Sequence, residues 1–517
     1  MANKTLFQRL FGKAIPNTDA INFECAPAYK LSPKQSLAQY AATACFNNTF
    51  YADADFQLNG VLDACAAVDS EFIARTAVYA RRHSFMKDMP ALLCAVLASR
   101  DLGLHEAVFE KVIDDTKMLR NYVQIVRSGV VGRKSLGSAP KRVVRRWLDM
   151  RDEESLFRSS TGANPSLSDI LKMTHPKPAN ASRDAFYGYM LGRKHDPGAL
   201  PALVRDFEKF KAGEDLKIPD LPFMMLSSLP LSQRDWTEIA MRASWQTTRM
   251  NLNTFARHGV FAQPGAAERI ASRLKDVREI ERSRVLPYQL MSTFMNCDSD
   301  VPAIVREALE DAMEIAISSV PVIEGKVFVC PDVSGSMSDA ITGRRKGATS
   351  KVRCIDVAAL VTAALVRKNP TAVVKPFEDK VVDIELNPRD TVMTNAEKLA
   401  AIGGGGTNCS APLADWNARG ATADLVVIVS DNQSWVDAKR GVGTAVMTEW
   451  GKFRRRNPNA KLVCVDIHPY GTTQAIERED ILNVGGFSDH VFELIALFAS
   501  GKMRADHWVG LIEEVTV

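Results

Sequence analysis

VFVCPDVSGSM, Val327 to Met337, runs apolar and β-branched, stops at a proline, and then sets one carboxylate and two hydroxyls on alternate residues. An extended turn sends alternate side chains the same way, so Asp332, Ser334 and Ser336 converge on one point at the end of a strand. Hard, mostly neutral oxygen donors of this kind suit Mg²⁺ first, with Mn²⁺ and Ca²⁺ as further options.

The sequence around that stretch alternates strand and helix. After about Gly325 come the strand KVFVC, the helix KVRCIDVAALVTAALVRK, and the strands AVVKPF, KVVDIEL and DLVVIVS. The helix TAVMTEWGKFRRR, the strand KLVCVDI and a last helix near DHVFELIALFA complete the series. Continuous Val/Ile/Leu strands separated by helices predict a parallel sheet covered on both faces, a doubly wound α/β domain. Ligands of such sheets bind outside the carboxyl ends of the strands, where the strand order reverses. Two more oxygen-rich loops fall at that edge: GGGGTNCSAP, in which Gly403 to Gly406 lead to Thr407, and the loop after the strand DLVVIVS, which begins with Asp431 in SDNQSW. Two carboxylates leave a divalent ion undercharged and short of six ligands, so water or a partner's carboxylate would fill the open position.

DxSxS alone is also an ordinary Ser/Gly-rich turn, and only the three loops together favour a metal. Other chemistries fit less well. The Gly run lacks the GK[ST] ending of a phosphate-cradling loop, and DVSGSM is not the GxSxG nucleophile elbow. A metal-dependent nuclease needs more carboxylates than this site supplies, so the site reads as capture and the chain as a non-enzyme.

The preceding half follows a different pattern. From about Ser36 to Val320, stretches such as FIARTAVYARR, PALLCAVLASR, PKRVVRRWLDM and IVREALEDAMEIAI place apolar residues at three- and four-residue steps, and strand signals are nearly absent. Helices of this length joined by short Pro-, Gly- or Asn-containing turns predict stacked pairs, an α-solenoid, without a clean repeat consensus. The boundary falls near 321–326, which divides the chain into a lead-in (1–20), a helical domain (21–322) and an α/β domain (323–517).

The chain has 517 residues, 46% of them apolar and 24% charged, enough for two to four packed domains. No window approaches the roughly 18 uninterrupted apolar residues of a membrane span, and MANKTLFQRLFGK lacks the features of a signal peptide, so a cytoplasmic location without membrane contact is expected. Nine scattered cysteines, without CxxC or zinc spacing, read as reduced packing thiols.

The net charge of +4 hides an uneven distribution. Residues 117–148 carry Lys117, Arg120, Arg127, Arg133, Lys134, Lys141, Arg142, Arg145 and Arg146 without one Asp or Glu. Helix spacing from Ser138 puts Lys141, Arg142, Arg145 and Arg146 on one broad face, with Val143, Val144, Trp147 and Leu148 inward. A phosphate-contacting surface follows; the competing reading is a merely solvated face, which usually interleaves acids. LKMTHPKPAN adds Lys172, His175 and Lys177, and SWQTTRMNLNTFARHGVF adds Arg249, Arg257 and His258. A lone His at a helix end is as readily a cap, and Trp147, Tyr187 and Trp245 suit core packing better than base stacking.

DxSxS, then a Gly-rich loop with Thr, then Asp after a later strand resembles the metal-ion-dependent adhesion site of von Willebrand factor A domains, with Asp332, Ser334, Ser336, Thr407 and Asp431 in order. The stretches MPALLCAVLA, GRKSLGSAPKRVVRRWL, LKMTHPKP and VLPYQLMSTF, followed by DVSGSM, GGTNCSAP and SDNQSW, resemble the TROVE-domain Ro autoantigen family of Y RNA-binding proteins. The resemblance implies an all-α HEAT-like solenoid closed into a ring, followed by the A domain. It implies a structured small noncoding Y RNA on a basic outer surface and single-stranded ends of misfolded or immature RNA in the hole, for RNA quality control. By motif match that surface carries over to Arg133, Lys134, Lys141, Arg142, Arg145, Arg146, Lys172 and His175; Lys177 is placed beside them, and Arg249 and Arg257 on the same face or in the hole. A monomer is expected, and an exoribonuclease tethered through the RNA is an implication of the family's bacterial members. The rival from another class is a metal-dependent protein–protein adaptor that binds no RNA.

Overall fold

The computed structural model describes residues 15–517 apart from 45, 163, 215–216, 284, 286, 345–348, 439–442, 487–489 and 504–506. Of the lead-in, only residues 15–20 fall among those described, and Cys45 lies outside them. The chain divides into two compact units. One takes its described residues from 1–64, 286–292 and 317–511, the other from 65–285, 293–316 and 512–517.

In the first unit a five-stranded parallel sheet runs through β3 (Val327–Pro331), β4 (Val373–Val374), β5 (Leu425–Ser430), β6 (Lys461–Asp466) and β8 (Ile481–Gly485), in the order β4-β3-β5-β6-β8. The register sets Val327 against Leu425 and Leu425 against Lys461. Strands β3 and β5 are buried along their whole length, as parallel strands covered on both faces must be. The helix Cys354–Lys368, buried almost all round, packs against β3. On the other side, the Phe328 ring stacks on Trp416 at 3.9 Å, within a core that includes Trp450 and Phe453. Because the chain steps from β3 to β4 on one side and then to β5 on the other, the order reverses between β3 and β5. Asp332 and Asp431 follow those two strands.

Two elements differ from the sequence reading. AVVKPF forms a ladder only over Val373–Val374, with an isolated bridge from Phe377 to Asp332, and KVVDIEL contributes one isolated bridge, between Phe377 and Val381. Pro376 has no N–H to give a ladder, and the segment lies at the sheet edge. In addition, residues 20–64 pack with the sheet: β1 (Ala20–Ile21) pairs with β2 (Pro27–Lys30), which pairs antiparallel with β7 (Thr472–Thr473). The helix Pro33–Thr43, closed at its start by a Ser32/Gln35 capping box, lies on β8.

The second unit is helical. Ser70–Arg82 packs on Asp88–Arg100, which packs on Leu102–Val112 and Thr116–Ser128; Leu102–Val112 in turn meets Ser138–Asp149. Further along, Ala266–Leu274 packs on Ala303–Ala316. Contacts between sequence neighbours are those of a solenoid. Trp147, Trp245 and Tyr187 are buried, and the two indole N–H groups donate to the carbonyls of Ile113 and Leu274. They are core residues, as helical spacing suggested. Six of the described cysteines are buried thiols, while Cys25 is exposed and Cys297 half-buried. Among the described residues no helix is long and apolar enough to cross a membrane.

Candidate metal centre and basic surface

The three loops meet at the switch point. Asp332 is fully buried; its Oδ1 accepts from the Ser334 N–H at 2.9 Å and its Oδ2 from the Ser430 hydroxyl at 2.6 Å. Thr407 Oγ1 donates to Ser334 Oγ at 3.0 Å, and Ser334 Oγ stands 3.5 Å from Ser336 Oγ. Asp431 is buried, interacts with the Ser336 hydroxyl, and accepts from the Gln433 N–H at 3.2 Å. All five sequence-predicted residues therefore share one pocket of oxygens.

Backbone bonds fix that arrangement. Gly335 N–H donates to the Gly405 carbonyl at 3.1 Å and Gly404 N–H to the Val333 carbonyl at 3.1 Å, which ties the Gly loop to DVSGS. Gly405 sits at φ +65°, and a Cβ there would stand 2.6 Å from a Glu378 carboxylate oxygen, so only glycine fits. The Thr407 carbonyl accepts from the Trp435 N–H at 3.0 Å, which ties the same loop to the segment after β5.

Electrostatics test whether these residues suit a cation. Burial, and then the Asp431 charge, push the Asp332 carboxyl up to about 7; burial pushes Asp431 up to about 6. Hydroxyls and backbone N–H groups oppose both shifts only in part. Two buried like charges and three hydroxyl oxygens form a hard, anionic donor set, which fits a divalent ion such as Mg²⁺. Ser430 was not among the residues the sequence singled out; its position, last in β5 and directly before Asp431, is the signal that finds it.

The basic residues divide by their partners. Arg142 and Arg146 pair at 2.9 Å with Glu106, and Arg146 also with Glu110 at 2.7 Å, acids supplied by the Leu102–Val112 helix. The basic run is thus less charged in space than in sequence. Arg145 donates to the Thr174 carbonyl at 2.6 Å, at the end of the Leu167–Thr174 helix, and Arg133 to the Ala98 carbonyl. Arg249 is only 7% exposed, and its guanidinium donates to Thr293 Oγ1 and Gln246 Oε1. It does not stand on a surface as the exposed Arg257 does.

Lys134, Lys172, Lys177 and Arg257 are exposed, Lys141 is half-buried, and none of these five forms an ion pair among the described residues. His175 is exposed in the left-handed conformation that ends its helix, its N–H on the Leu171 carbonyl, which is the capping role. An open groove of about 640 Å³ lies between the Thr116–Ser128 and Leu167–Thr174 helices. Gln124, Arg127, Asn164, Asp169 and Lys172 line it. Arg127, in the acid-free run but not singled out as a contact, shares this groove with Lys172.

A doubly wound sheet that carries DxSxS, Thr and Asp on three loops at its switch point defines a von Willebrand factor A domain, here in one chain with a helical solenoid. The Ro60 vWA domain family model matches residues 326–499. The chain is 25% identical over 363 residues to the RNA-binding protein RO60 of Deinococcus radiodurans, an alignment that covers 65% of this chain and 66% of that protein. The crystal structure of the Deinococcus radiodurans Ro (RSR) protein superposes with a TM-score of 0.62 at 18% identity, covering 90% of this chain and all of that one. Residues 326–499 thus carry a von Willebrand A domain of the Ro60 type, and the chain as a whole is similar in sequence and fold to the Deinococcus radiodurans Ro protein.

Proposed function

We propose that the chain is a non-enzymatic RNA-binding scaffold: exposed cations of the helical unit hold RNA phosphates, and the A domain holds a divalent metal that captures a carboxylate. The observation that carries this reading is the groove lined by Arg127 and Lys172, in a chain related to an RNA-binding protein. Lys134, Lys141, Lys177 and His175 extend the surface, while Arg133, Arg142, Arg145 and Arg146 shape it through their partners. Phosphate contacts give affinity without reading sequence, which suits a structured small RNA of the Y RNA type. Single-stranded ends of misfolded or immature RNA are the second substrate class, taken by a closed helical ring, and RNA quality control is the role. A nuclease tethered through the bound RNA would supply the chemistry, since the scaffold itself has none assigned.

In the A domain Asp332, Ser334, Ser336, Thr407 and Asp431 would hold Mg²⁺. Bound there, the ion supplies positive charge at an open ligand position. The chain's own hydroxyls orient the site, and its two carboxylates fix the charge.

The test is native purification, extraction and sequencing of any bound nucleic acid, in parallel with an Arg127/Lys134/Lys141/Lys172→Ala variant. A discrete structured small RNA that disappears in the variant supports the scaffold. Protein that stays free of nucleic acid at low salt supports the metal-dependent adaptor instead.

A further inference from the structure

The helical unit holds a second open groove, which shares no residue with the one that Arg127 and Lys172 line. Its volume is about 680 Å³, and Arg242, Arg269, Arg273 and Arg282 line it together with Asp276 and Glu279. Three helices supply the arginines: Gln233–Arg242, Ala266–Leu274 and Val277–Ser283. Positive charge is in excess, and the acids are already engaged. Glu279 pairs with Arg282 at 2.6 Å, and Asp276 Oδ1 accepts from the Glu279 N–H at 2.9 Å. Arg242 pairs with Glu238 of its own helix.

The other two arginines have no acid. Arg269 and Arg273 stand four residues apart on the Ala266–Leu274 helix, and neither forms an ion pair among the described residues. Like charges at that spacing destabilise a helix. Arg273 is half-buried and aimed by its bonds: Nη1 donates to the Ala240 carbonyl at 2.7 Å and to Thr248 Oγ1 at 3.1 Å, and Nη2 to the Met241 carbonyl at 2.6 Å. These acceptors are neutral, so they fix the guanidinium without answering its charge. At least two of its five N–H groups are left for a ligand. Burial, and then the neighbouring Arg269 charge, hold Arg273 below its ordinary value, as a missing counter-charge requires.

We propose that this groove binds a phosphate monoester, with Arg269 and Arg273 as the paired anion clamp and Arg242 and Arg282 as outer cations. A carboxylate offers two oxygens, which a single guanidinium satisfies; guanidinium groups from three helices suit a tetrahedral dianion with three terminal oxygens. A groove of this size admits a nucleotide. The monoester has two sources, a free nucleoside monophosphate or the 5′ end of an RNA. The site does not depend on the RNA reading of the Arg127/Lys172 groove.

The experiment is isothermal titration of the full chain with inorganic phosphate, adenosine 5′-monophosphate and adenosine, and with a short single-stranded RNA that carries a 5′-phosphate or a 5′-hydroxyl. Phosphate and the monophosphate are expected to bind, and adenosine to give no heat. Arg269→Glu should weaken monophosphate binding at least about tenfold. It should not lower the melting temperature, because Arg269 is exposed and the new carboxylate answers Arg273 at the favourable spacing. The Arg127/Lys134/Lys141/Lys172→Ala variant should bind the monophosphate as the wild type does, which separates this site from the basic surface. In that variant, tighter binding of the 5′-phosphorylated RNA assigns the site to RNA ends, and equal binding of the two RNAs assigns it to free nucleotides. A wild type that binds neither phosphate nor the monophosphate, or an Arg269→Glu chain that binds them unchanged, would overturn the proposal and leave the RNA reading standing.

Discussion

The metal face and the basic surface are built on opposite plans. At the candidate metal face the oxygen donors are buried and held by backbone bonds across three loops, and the two carboxyls repel when ionised, so the pocket favours either a proton or a cation. On the helical unit the functional groups are exposed side chains on long stems, some free and some answered by acids from a neighbouring helix. A site of the first kind is specific and responds as a unit; one of the second kind is additive and screened by salt.

The largest expected effect lies at the metal face. Asp332→Ala should abolish the thermal stabilisation produced by Mg²⁺ while leaving RNA affinity intact; a melt series with and without the ion reads the first and a filter-binding assay the second. If RNA affinity falls with it, the two regions are not independent.

The pH dependence comes next. Asp332 and Asp431 are raised in the folded chain to about 7 and about 6 from an ordinary value of 3.8. Such groups favour folding while protonated, and that contribution is lost as pH rises through 6 and 7. Glu477, raised to about 8 by burial, acts with the same sign. In chelator the melting temperature should therefore fall between about pH 5 and pH 8, by on the order of several degrees. Mg²⁺ should restore more of it at pH 8 than at pH 5, and the part due to Glu477 should remain lost. A metal-free melting temperature that rises over this range would contradict the account of the pocket.

Smaller effects belong to the basic surface. Lys172→Ala and Lys134→Ala should each weaken RNA binding several-fold and flatten its salt dependence by roughly 0.9 for each duplex phosphate left without its cation. Arg146→Ala should cost less, because Glu106 and Glu110 already offset its charge. The smallest effect, a modest gain in affinity at low salt, is expected for Glu106→Gln, which leaves Arg142 without its acid. Electrophoretic mobility shifts with a structured small RNA rank the four variants.

The same contrast explains what could be read from the residues. Asp332, Ser334 and Ser336 lie within five residues, and Thr407 and Asp431 follow signals that are local to a Gly run and a strand end. The switch point then followed from strand order. The seating of the β1–β2 turn against the segment after β5 carries no such signal, since the Phe23–Gln433 bond joins residues 410 apart in sequence. The acid-free run 117–148 was real in sequence, but Glu106 and Glu110 lie outside it and cross to Arg142 and Arg146 from the neighbouring helix. Arg249 was placed on the basic face or in the hole because helix spacing alone does not show that its guanidinium is held by Thr293 and Gln246. KVVDIEL has strand composition, but at a sheet edge composition does not supply a partner.

The most direct measurement is the slope of RNA affinity against salt, in chelator, for the wild type, the Arg127/Lys134/Lys141/Lys172→Ala variant and Asp332→Ala. The account predicts a steep wild-type slope, a clearly shallower one for the basic-surface variant, and an Asp332→Ala slope that overlays the wild type. A basic-surface variant that keeps the wild-type slope, or an Asp332→Ala chain that loses it, would contradict the assignment of RNA to the helical unit and of metal to the A domain.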